Sequence, residues 1–228
     1  MNFLQICQRV RSKAGITGVT DTPTTVVSQV GELGRVVNWV NEAWEEIQNM
    51  HDTWEWMRGD FSFNCVSGTY IYVPGSAPVS LTAFAEWHTD TLRCYLTATG
   101  VSDEQFMAEW DYPLFRDYYE LGSGYSGRPQ LFAVRPSDSA LLLGPNPDAV
   151  YTVRGQYQKR ATTMSLDADT PGLPAQYHML LVHGALMKYA AYEGAPEVMA
   201  SASRDYFNML MRLSQDQLPT LRMGAPLA

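Results

Sequence analysis

The feature that most constrains the fold is an amphipathic stretch from Gly31 to His51. Its apolar residues recur at steps of three and four, which places them on one stripe of an α-helix. The stripe consists of Leu33, Val36, Val37, Val40, Ala43, Trp44 and Ile47. The opposite arc is polar and consists of Arg35, Asn38, Asn41, Glu42, Glu45, Gln48 and Asn49. One face of this helix must therefore be buried while the other meets water or a partner, and Ser28 is its expected N-cap.

Three further segments have helical spacing. An apolar face within residues 2–14 predicts a first helix that Gly15 ends. The same period returns over 174–194, and a last helix is expected over 196–216, opened by a proline at its first position. The apolar face expected for the last helix consists of Val198, Met199, Ala202, Tyr206, Phe207, Leu210 and Leu213. None of the four helices can bury its stripe alone.

The middle of the chain changes to the two-residue period of β-strands. Residues 61–65 and 70–73 flank a turn at Ser67 and Gly68 and predict a β-hairpin. Further strands, forming an antiparallel meander, are expected at 79–84, 91–97, 130–135, 140–143 and 150–158. Residues 101–121 return to helical spacing, and Pro113 is expected to divide them into two short helices.

These elements predict an α+β protein, with a helical bundle built from the N- and C-terminal helices and an inserted antiparallel β-rich part. The predicted boundaries are 1–58 for the first half of the bundle, 59–171 for the β-rich domain, 172–217 for the second half and 218–228 for a C-terminal tail. The tail contains two prolines and a glycine and is expected to become ordered only against a partner.

Composition restricts the functional classes. Lys and Arg number 16 against 24 Asp and Glu, which gives a formal net charge of −8 at pH 7. This balance argues against nonspecific binding of nucleic acid or of anionic membranes through the overall field. The three cysteines are far apart and lack CxxC spacing, so we expect reduced thiols. No signal peptide is visible and no apolar run approaches the ~20 residues that span a bilayer, so we expect a soluble protein made in a cytosol.

No catalytic motif is convincing. Residues 122–127 match the dinucleotide pattern GxGxxG, but they follow an expected helix and lead into a strand, the reverse of the required context. His178 and His183 are five residues apart and do not converge on one metal. Four carboxylates beside aromatic residues are candidates for a lytic pair, although solvated acidic faces are commoner. They are Asp103, Glu104, Glu109 and Asp111. We therefore expect an assembly component with no cofactor and no metal, and not an enzyme.

The order of several short motifs resembles the head-to-tail adaptor (connector) proteins of tailed double-stranded DNA bacteriophages, including the tail-tubular gatekeeper type. In the first third of the chain these motifs are LQICQRV at 4–10 with Gly15, the helix at 31–48, WEWM at 54–57 and FSF at 61–63. Farther along they are GRP at 127–129, LGPNPD at 143–148, LPAQYH at 173–178 and GAPE at 194–197. The resemblance covers most of the chain.

The resemblance implies a virion structural protein of the neck, made in the host cytoplasm. Adaptors of this kind form a ring, a dodecamer in the virion, between the portal protein and a tail or nozzle protein. Double-stranded DNA passes through the channel of the ring without sequence-specific contacts. The family has no catalytic residues to transfer and no membrane contact.

Two sets of residues acquire roles through the resemblance. The tail is expected to bind the portal through Leu218, Pro219, Leu221, Arg222, Met223, Pro226 and Leu227. A channel lining or a contact with the next subunit is expected for Trp39, Asn38, Glu42, Glu45 and Asn49. For Trp39 the edge of the core is an alternative, because it lies between the apolar and polar arcs of its helix.

Two other functions remain open from the sequence. One is a phage-associated peptidoglycan hydrolase that uses Glu104 or Glu109 as its acid. The other is a module that binds a glycan or a tail-fibre protein through an exposed aromatic row. That row would consist of Tyr70, Tyr72, Trp87 and Tyr95.

Overall fold

The structure, a computed structural model, describes residues 1–15, 23–122 and 125–219, and it confirms the α+β class. The helices are α1 (Phe3–Ala14), α2 (Gly31–Asn49), α3 (Tyr112–Phe115), α4 (Met179–Glu193) and α5 (Pro196–Gln217). The longer strands are β1 (Arg58–Asn64), β3 (Phe84–Leu96), β7 (Leu131–Val134), β8 (Leu141–Gly144) and β10 (Tyr151–Lys159). The two-residue strands are β2 (Ile71–Tyr72), β4 (Gln105–Phe106), β5 (Ala108–Glu109), β6 (Ser126–Gly127) and β9 (Asn146–Pro147).

The chain divides into two compact units. The first, called here the helical unit, combines the described residues of 1–57 with those of 161–219. The second, the β unit, is the stretch 58–160. Segments before and after the β unit therefore belong to one unit, and the β unit is inserted between them.

Helix α4 lies at the centre of the helical unit. Its buried residues are Leu180, Leu181, Val182, His183, Gly184, Ala185, Leu186 and Ala190. These surround the helix instead of forming one stripe, so neighbours must cover it on several sides. Helices α1, α2 and α5 do so, and the four share one apolar core. At Gly184 the three helices approach closely, because a Cβ there would lie 2.9 Å from the Cβ of Ala43 on α2 and 3.3 Å from the ring of Tyr206 on α5.

The two N-terminal helices follow their sequence patterns. Helix α1 begins with a capping box. The Gln5 backbone N–H donates to the Asn2 side chain, and the Asn2 backbone N–H donates to the Gln5 side chain. It ends at Gly15 in the left-handed conformation, as predicted. On α2 the predicted apolar stripe is the buried face. The predicted N-cap is wrong, since Val30 occupies that position without a side-chain bond and Ser28 lies two residues earlier at φ 57°.

Two residues assigned to the polar arc of α2 do not face water. The Asn41 amide donates to the Met164 carbonyl oxygen at 2.9 Å and accepts from the Met164 N–H at 3.1 Å. Gln48, which is buried, makes the same pair of bonds to Thr162, at 2.9 and 3.0 Å. Asn41 and Gln48 are seven residues apart on one face of the helix. Their side chains thus pair with the backbone of an extended segment as a neighbouring strand would. They hold residues 161–164, where the chain returns to the helical unit, against α2.

The β unit contains two four-stranded sheets. The first has the order β1-β10-β3-β4 and is antiparallel throughout, and the second has the order β2-β8-β7-β5 with a parallel pair between β5 and β7. The predicted meander is therefore wrong, because sequence neighbours are mostly not sheet neighbours. Of the predicted strands, 79–84 is absent except for one bridge between Ser76 and Val79 and the first residue of β3.

The predicted hairpin is also wrong. Strand β1 pairs with β10 over seven residues, whereas β2 joins the second sheet beside β8. The turn itself exists, but it is held by Tyr72, whose hydroxyl donates to the Thr69 carbonyl oxygen at 2.8 Å and accepts from the Val66 N–H at 3.0 Å. A turn that is closed by a side chain does not require its flanking strands to pair with each other.

Residues 101–121 do not form two helices divided by Pro113. The first half makes a 3-10 turn and the strands β4 and β5. Pro113 lies in the first turn of α3, where its missing N–H has no helical partner to lose. Helix α3 continues as a π-helical turn over Arg116–Glu120.

The close approach at Gly184 gives a first prediction. Replacement of Gly184 by valine should lower the free energy of unfolding by about 1–3 kcal/mol, because the added atoms have no space beside Ala43 and Tyr206. Urea denaturation measures the change. Ala191→Val, at an exposed position of the same helix, is the matched control, and equal losses in the two variants would contradict the close packing.

The amide pairs on α2 give a second prediction. Gln48→Met keeps the side-chain length but removes both bonds to Thr162, so the free energy of unfolding should fall by about 1–2 kcal/mol. Hydrogen exchange at the Thr162 amide should accelerate in the same variant. Gln215→Met on the exposed face of α5 serves as the control and should change stability by less than about 0.5 kcal/mol. Unchanged protection of Thr162 would show that Gln48 does not hold the segment.

Candidate interaction surfaces

The polar stripe of α2 points away from the core. Asn38, Glu42 and Asn49 are exposed and Glu45 is half-buried, at steps of three and four residues on one side of the helix. Glu42 and Glu46 also bind Lys188 of α4, whose Nζ lies 3.4 and 2.6 Å from their carboxylate oxygens. The stripe therefore carries more negative than positive charge and is available for contact.

Trp39 lies at the edge of the core and is partly open to solvent. It is half-buried and packs at the edge of the core, with ring centroids 6.0 Å from Tyr189 and 5.7 Å from Tyr192. Tyr192 is 55% exposed, and the guanidinium carbon of Arg35 lies 4.6 Å from its ring centroid. Trp39 and Tyr192 thus form an aromatic pair, half open to solvent, in the groove between α2 and α4.

The outward face of α5 was missed by the sequence pattern. Phe207 was expected in the apolar core face, but it is 55% exposed, and Met211 one turn later is 63% exposed. Arg204 precedes them on the same side of the helix and is 72% exposed. The core side of α5 is formed by Ala202, Tyr206 and Leu213, all three of which belong to the predicted apolar face. At 3.6 residues per turn, Phe207 lies on a different side of the helix from Ala202, Tyr206 and Leu213. This angular position is the sequence signal that identifies Phe207 as an outward residue.

The start of the predicted portal-binding tail is anchored. Tyr177 donates a short hydrogen bond to the Asp216 carboxylate in the last turn of α5, and Leu218 packs on the core of the helical unit. Pro219 is exposed. The remaining tail residues named above lie outside the described part of the chain: Leu221, Arg222, Met223, Pro226 and Leu227.

The carboxylates proposed for a hydrolase have other roles. Glu104 is clamped by two arginines, since Arg154 donates two hydrogen bonds to it and Arg93 lies 3.4 Å away. The Arg154 bond, followed by Arg93, lowers the pKa of Glu104, whereas a general acid needs a raised pKa. The pKa of Asp103 is lowered by the Leu96 N–H and by Arg128, which binds it at 2.8 Å. Glu109 is exposed, so the geometry does not favour a lytic pair.

The same arginines limit what a hollow of the β unit can bind. This open hollow of about 410 Å³ is lined by Asp60, Phe61, Thr91, Arg93, Arg154, Gly155 and Gln156. Because Glu104 and Asp60 together carry as many negative charges as the two guanidinium groups carry positive ones, the hollow has little net charge to attract an anion.

The aromatic row proposed for a glycan or fibre does not exist as an exposed surface. Tyr72 and Trp87 are 2% and 4% exposed, and both are members of the β-unit core. The indole N–H of Trp87 donates to the Ser139 carbonyl oxygen at 2.8 Å. Tyr70 and Tyr95 are half-buried, so the four residues do not form the exposed row that would favour a glycan- or fibre-binding module.

The three cysteines are buried, as are His178 and His183. Burial raises the pKa values of Cys7, Cys65 and Cys94 to about 12, so these thiols stay protonated. Across 1–15, 23–122 and 125–219, no cluster of three or more His, Cys, Asp or Glu has metal-binding geometry. Within the same ranges no helix has the length and hydropathy of a membrane span.

Several charged groups described in the β unit form ion pairs, and exposed residues lie on the outer faces of α2 and α5. The chain belongs to the SU10 adaptor protein family, whose model matches residues 1–227. It is therefore a bacteriophage structural adaptor, and the resemblance to phage head-to-tail adaptors is confirmed. Comparison with curated proteins finds no match.

The buried histidines of α4 and its N-terminal turn give a third prediction. Burial lowers the pKa values of His178 and His183 below 6.5, and the Nδ1 of His183 has no hydrogen-bond partner among the described residues. The unfolded chain therefore binds protons first as the pH falls below 6.5. Stability should decline there with a slope of up to about 1.4 kcal/mol per pH unit for each proton taken up.

Thermal or urea unfolding across this pH range measures the slope. The double variant His178→Gln/His183→Gln should have a smaller slope, whatever its stability at neutral pH. A slope equal to that of the wild type would contradict the assignment to these two imidazoles.

Proposed function

We propose that the protein forms a ring between the portal and a tail or nozzle protein in the virion neck, and that it lines the channel for double-stranded DNA. The observation that carries this proposal is the adaptor family match over residues 1–227. The ring is a dodecamer, as in the adaptors that the sequence resembles, and it is assembled from protein made in the host cytoplasm. It acts through shape, contact and charge, without catalysis or a cofactor.

The helical unit is the part that we assign to the ring wall. Its four long helices share one core, which supports a bundle built from both ends of the chain. The polar stripe of α2 is free for a second contact, because its apolar stripe is already buried. Asn38, Glu42, Glu45 and Asn49 line the channel or meet the next subunit, and Trp39 lies at that contact.

Charge suits the passage of DNA. Each chain carries a net charge of −8, and a ring multiplies this value by the number of subunits. Such a ring repels phosphates and does not retain DNA by counterion release, which requires clustered Lys and Arg. An acidic bore therefore lets the genome pass without binding.

Reconstruction of the ring tests the proposal. Purified protein mixed with the portal of the same phage should give a ring of defined symmetry by electron microscopy, even where the free protein is monomeric by mass photometry. A chain that never binds the portal and never forms a ring would contradict the proposal.

The tail gives a fourth prediction. Removal of 220–228 should weaken binding to the portal, because the proposed contact residues are lost, while the melting temperature stays nearly unchanged. Leu218 and Pro219 are kept in this variant, since Leu218 packs on the core. Calorimetry and a portal pull-down measure the two effects. A large fall in melting temperature would show that the tail belongs to the fold of the helical unit.

A further inference from the structure

Helix α5 carries an outward stripe that nothing in its own chain covers among the described residues. Arg204, Phe207 and Met211 follow one another at steps of three and four residues, on the side opposite Ala202, Tyr206 and Leu213. More than half of each of these three outward side chains is exposed. Two large apolar residues one turn apart, flanked by an arginine, have the composition of an interface and not of an ordinary solvated face.

A complementary surface lies elsewhere on the helical unit. The groove between α2 and α4 presents the aromatic pair Trp39 and Tyr192, and Glu42 and Glu46 lie beside it. Lys188 is the ammonium group that these two carboxylates bind, so two negative charges share one positive charge. Arg35 lies over the Tyr192 ring, and the Glu42 side chain is 56% exposed. The groove thus offers aromatic rings to an apolar side chain and the exposed Glu42 carboxylate to a cation.

We propose that the α5 stripe of one copy docks in the α2–α4 groove of the next copy. Phe207 and Met211 pack on Trp39 and Tyr192, since aromatic pairs and sulfur–aromatic contacts are favourable. Arg204 reaches Glu42 of the next copy. Within its own chain Arg204 pairs with Asp205 at 3.3 Å. That ion pair is exposed and contributes little, so it does not compete with the contact to Glu42. The inference rests on the proposed ring and names the two faces that build it.

The occupant that we assign to the stripe is the groove of a second copy, whose aromatic rings and carboxylate match the apolar and cationic side chains of the stripe. Helix α4 packs against both α2 and α5, and the α5 stripe points away from that shared core. The stripe therefore cannot reach the groove of its own chain. A contact between two different faces is heterologous, and repetition of a heterologous contact closes into a ring or continues as a filament.

Crosslinking of paired cysteines tests the contact. Tyr192→Cys combined with Phe207→Cys places one thiol on each proposed face, and the three native cysteines are buried. After assembly with the portal, a short bis-maleimide should give a ladder of covalent oligomers on a denaturing gel. Tyr192→Cys with Ser201→Cys is the control, because Ser201 is exposed on a different side of α5 and should give no ladder.

Charge reversal tests the polar part. Arg204→Glu should weaken ring assembly on the order of tenfold, because like charges would then face each other. Glu42→Arg should do the same, while Glu46 keeps Lys188 paired. The two changes together should restore assembly, and circular dichroism checks that each variant is folded.

The outcomes separate this contact from the proposed function. A ladder and a rescued double reversal support it. Rings without a ladder, or without sensitivity to either reversal, would overturn the contact and leave the ring standing. If the wild-type chain forms no ring with the portal, the proposed function fails, and the contact fails with it.

Discussion

The burial of α4 is the constraint on which the helical unit depends. A helix that is apolar on several sides has no stable solvent-facing orientation, so other helices must surround it. The chain supplies them from both ends, with α1 and α2 before the β unit and α5 after it. Gly184 allows α2 and α5 to come close to α4 at one level, where a larger residue would separate them. This long-range packing is what brings the described residues of 1–57 and 161–219 into one unit.

The sequence allowed prediction of the α+β class, the long helices and most long strands, because these have a periodic burial pattern. It did not allow prediction of which polar side chains hydrogen-bond to a backbone group instead of to water. Asn41 and Gln48 have the same polar character whether they meet water or the Thr162 and Met164 peptides, so the pattern assigned them to the solvent. Strand pairing was also beyond the pattern, because β1 satisfies the same alternation beside β10 as beside β2. Of the candidate surfaces, the polar stripe of α2 was predictable from residue spacing. The exposure of Phe207 was not, because it depends on which side of α5 packs against α4.

Several charged groups of the β unit form ion pairs with one another. Glu104 pairs with Arg93 of β3 and with Arg154 of β10. Arg128 binds Asp103 and the Cys94 carbonyl oxygen. Such groups fix the positions of strands and are not free for chemistry, which agrees with a structural role. The helical unit is different, because its outer faces carry charged and aromatic groups with few internal partners, and it is there that the proposed contacts lie.

The pairing of β1 with β10 has a consequence for how such a protein can change. The β unit begins at Arg58 and ends at Arg160, and Arg58 is the register partner of Gln158, so its first and last residues leave side by side. The whole of 58–160 can in principle be cut out by joining two neighbouring chain ends. Such a removal would leave the order of the helices that pack around α4 unchanged.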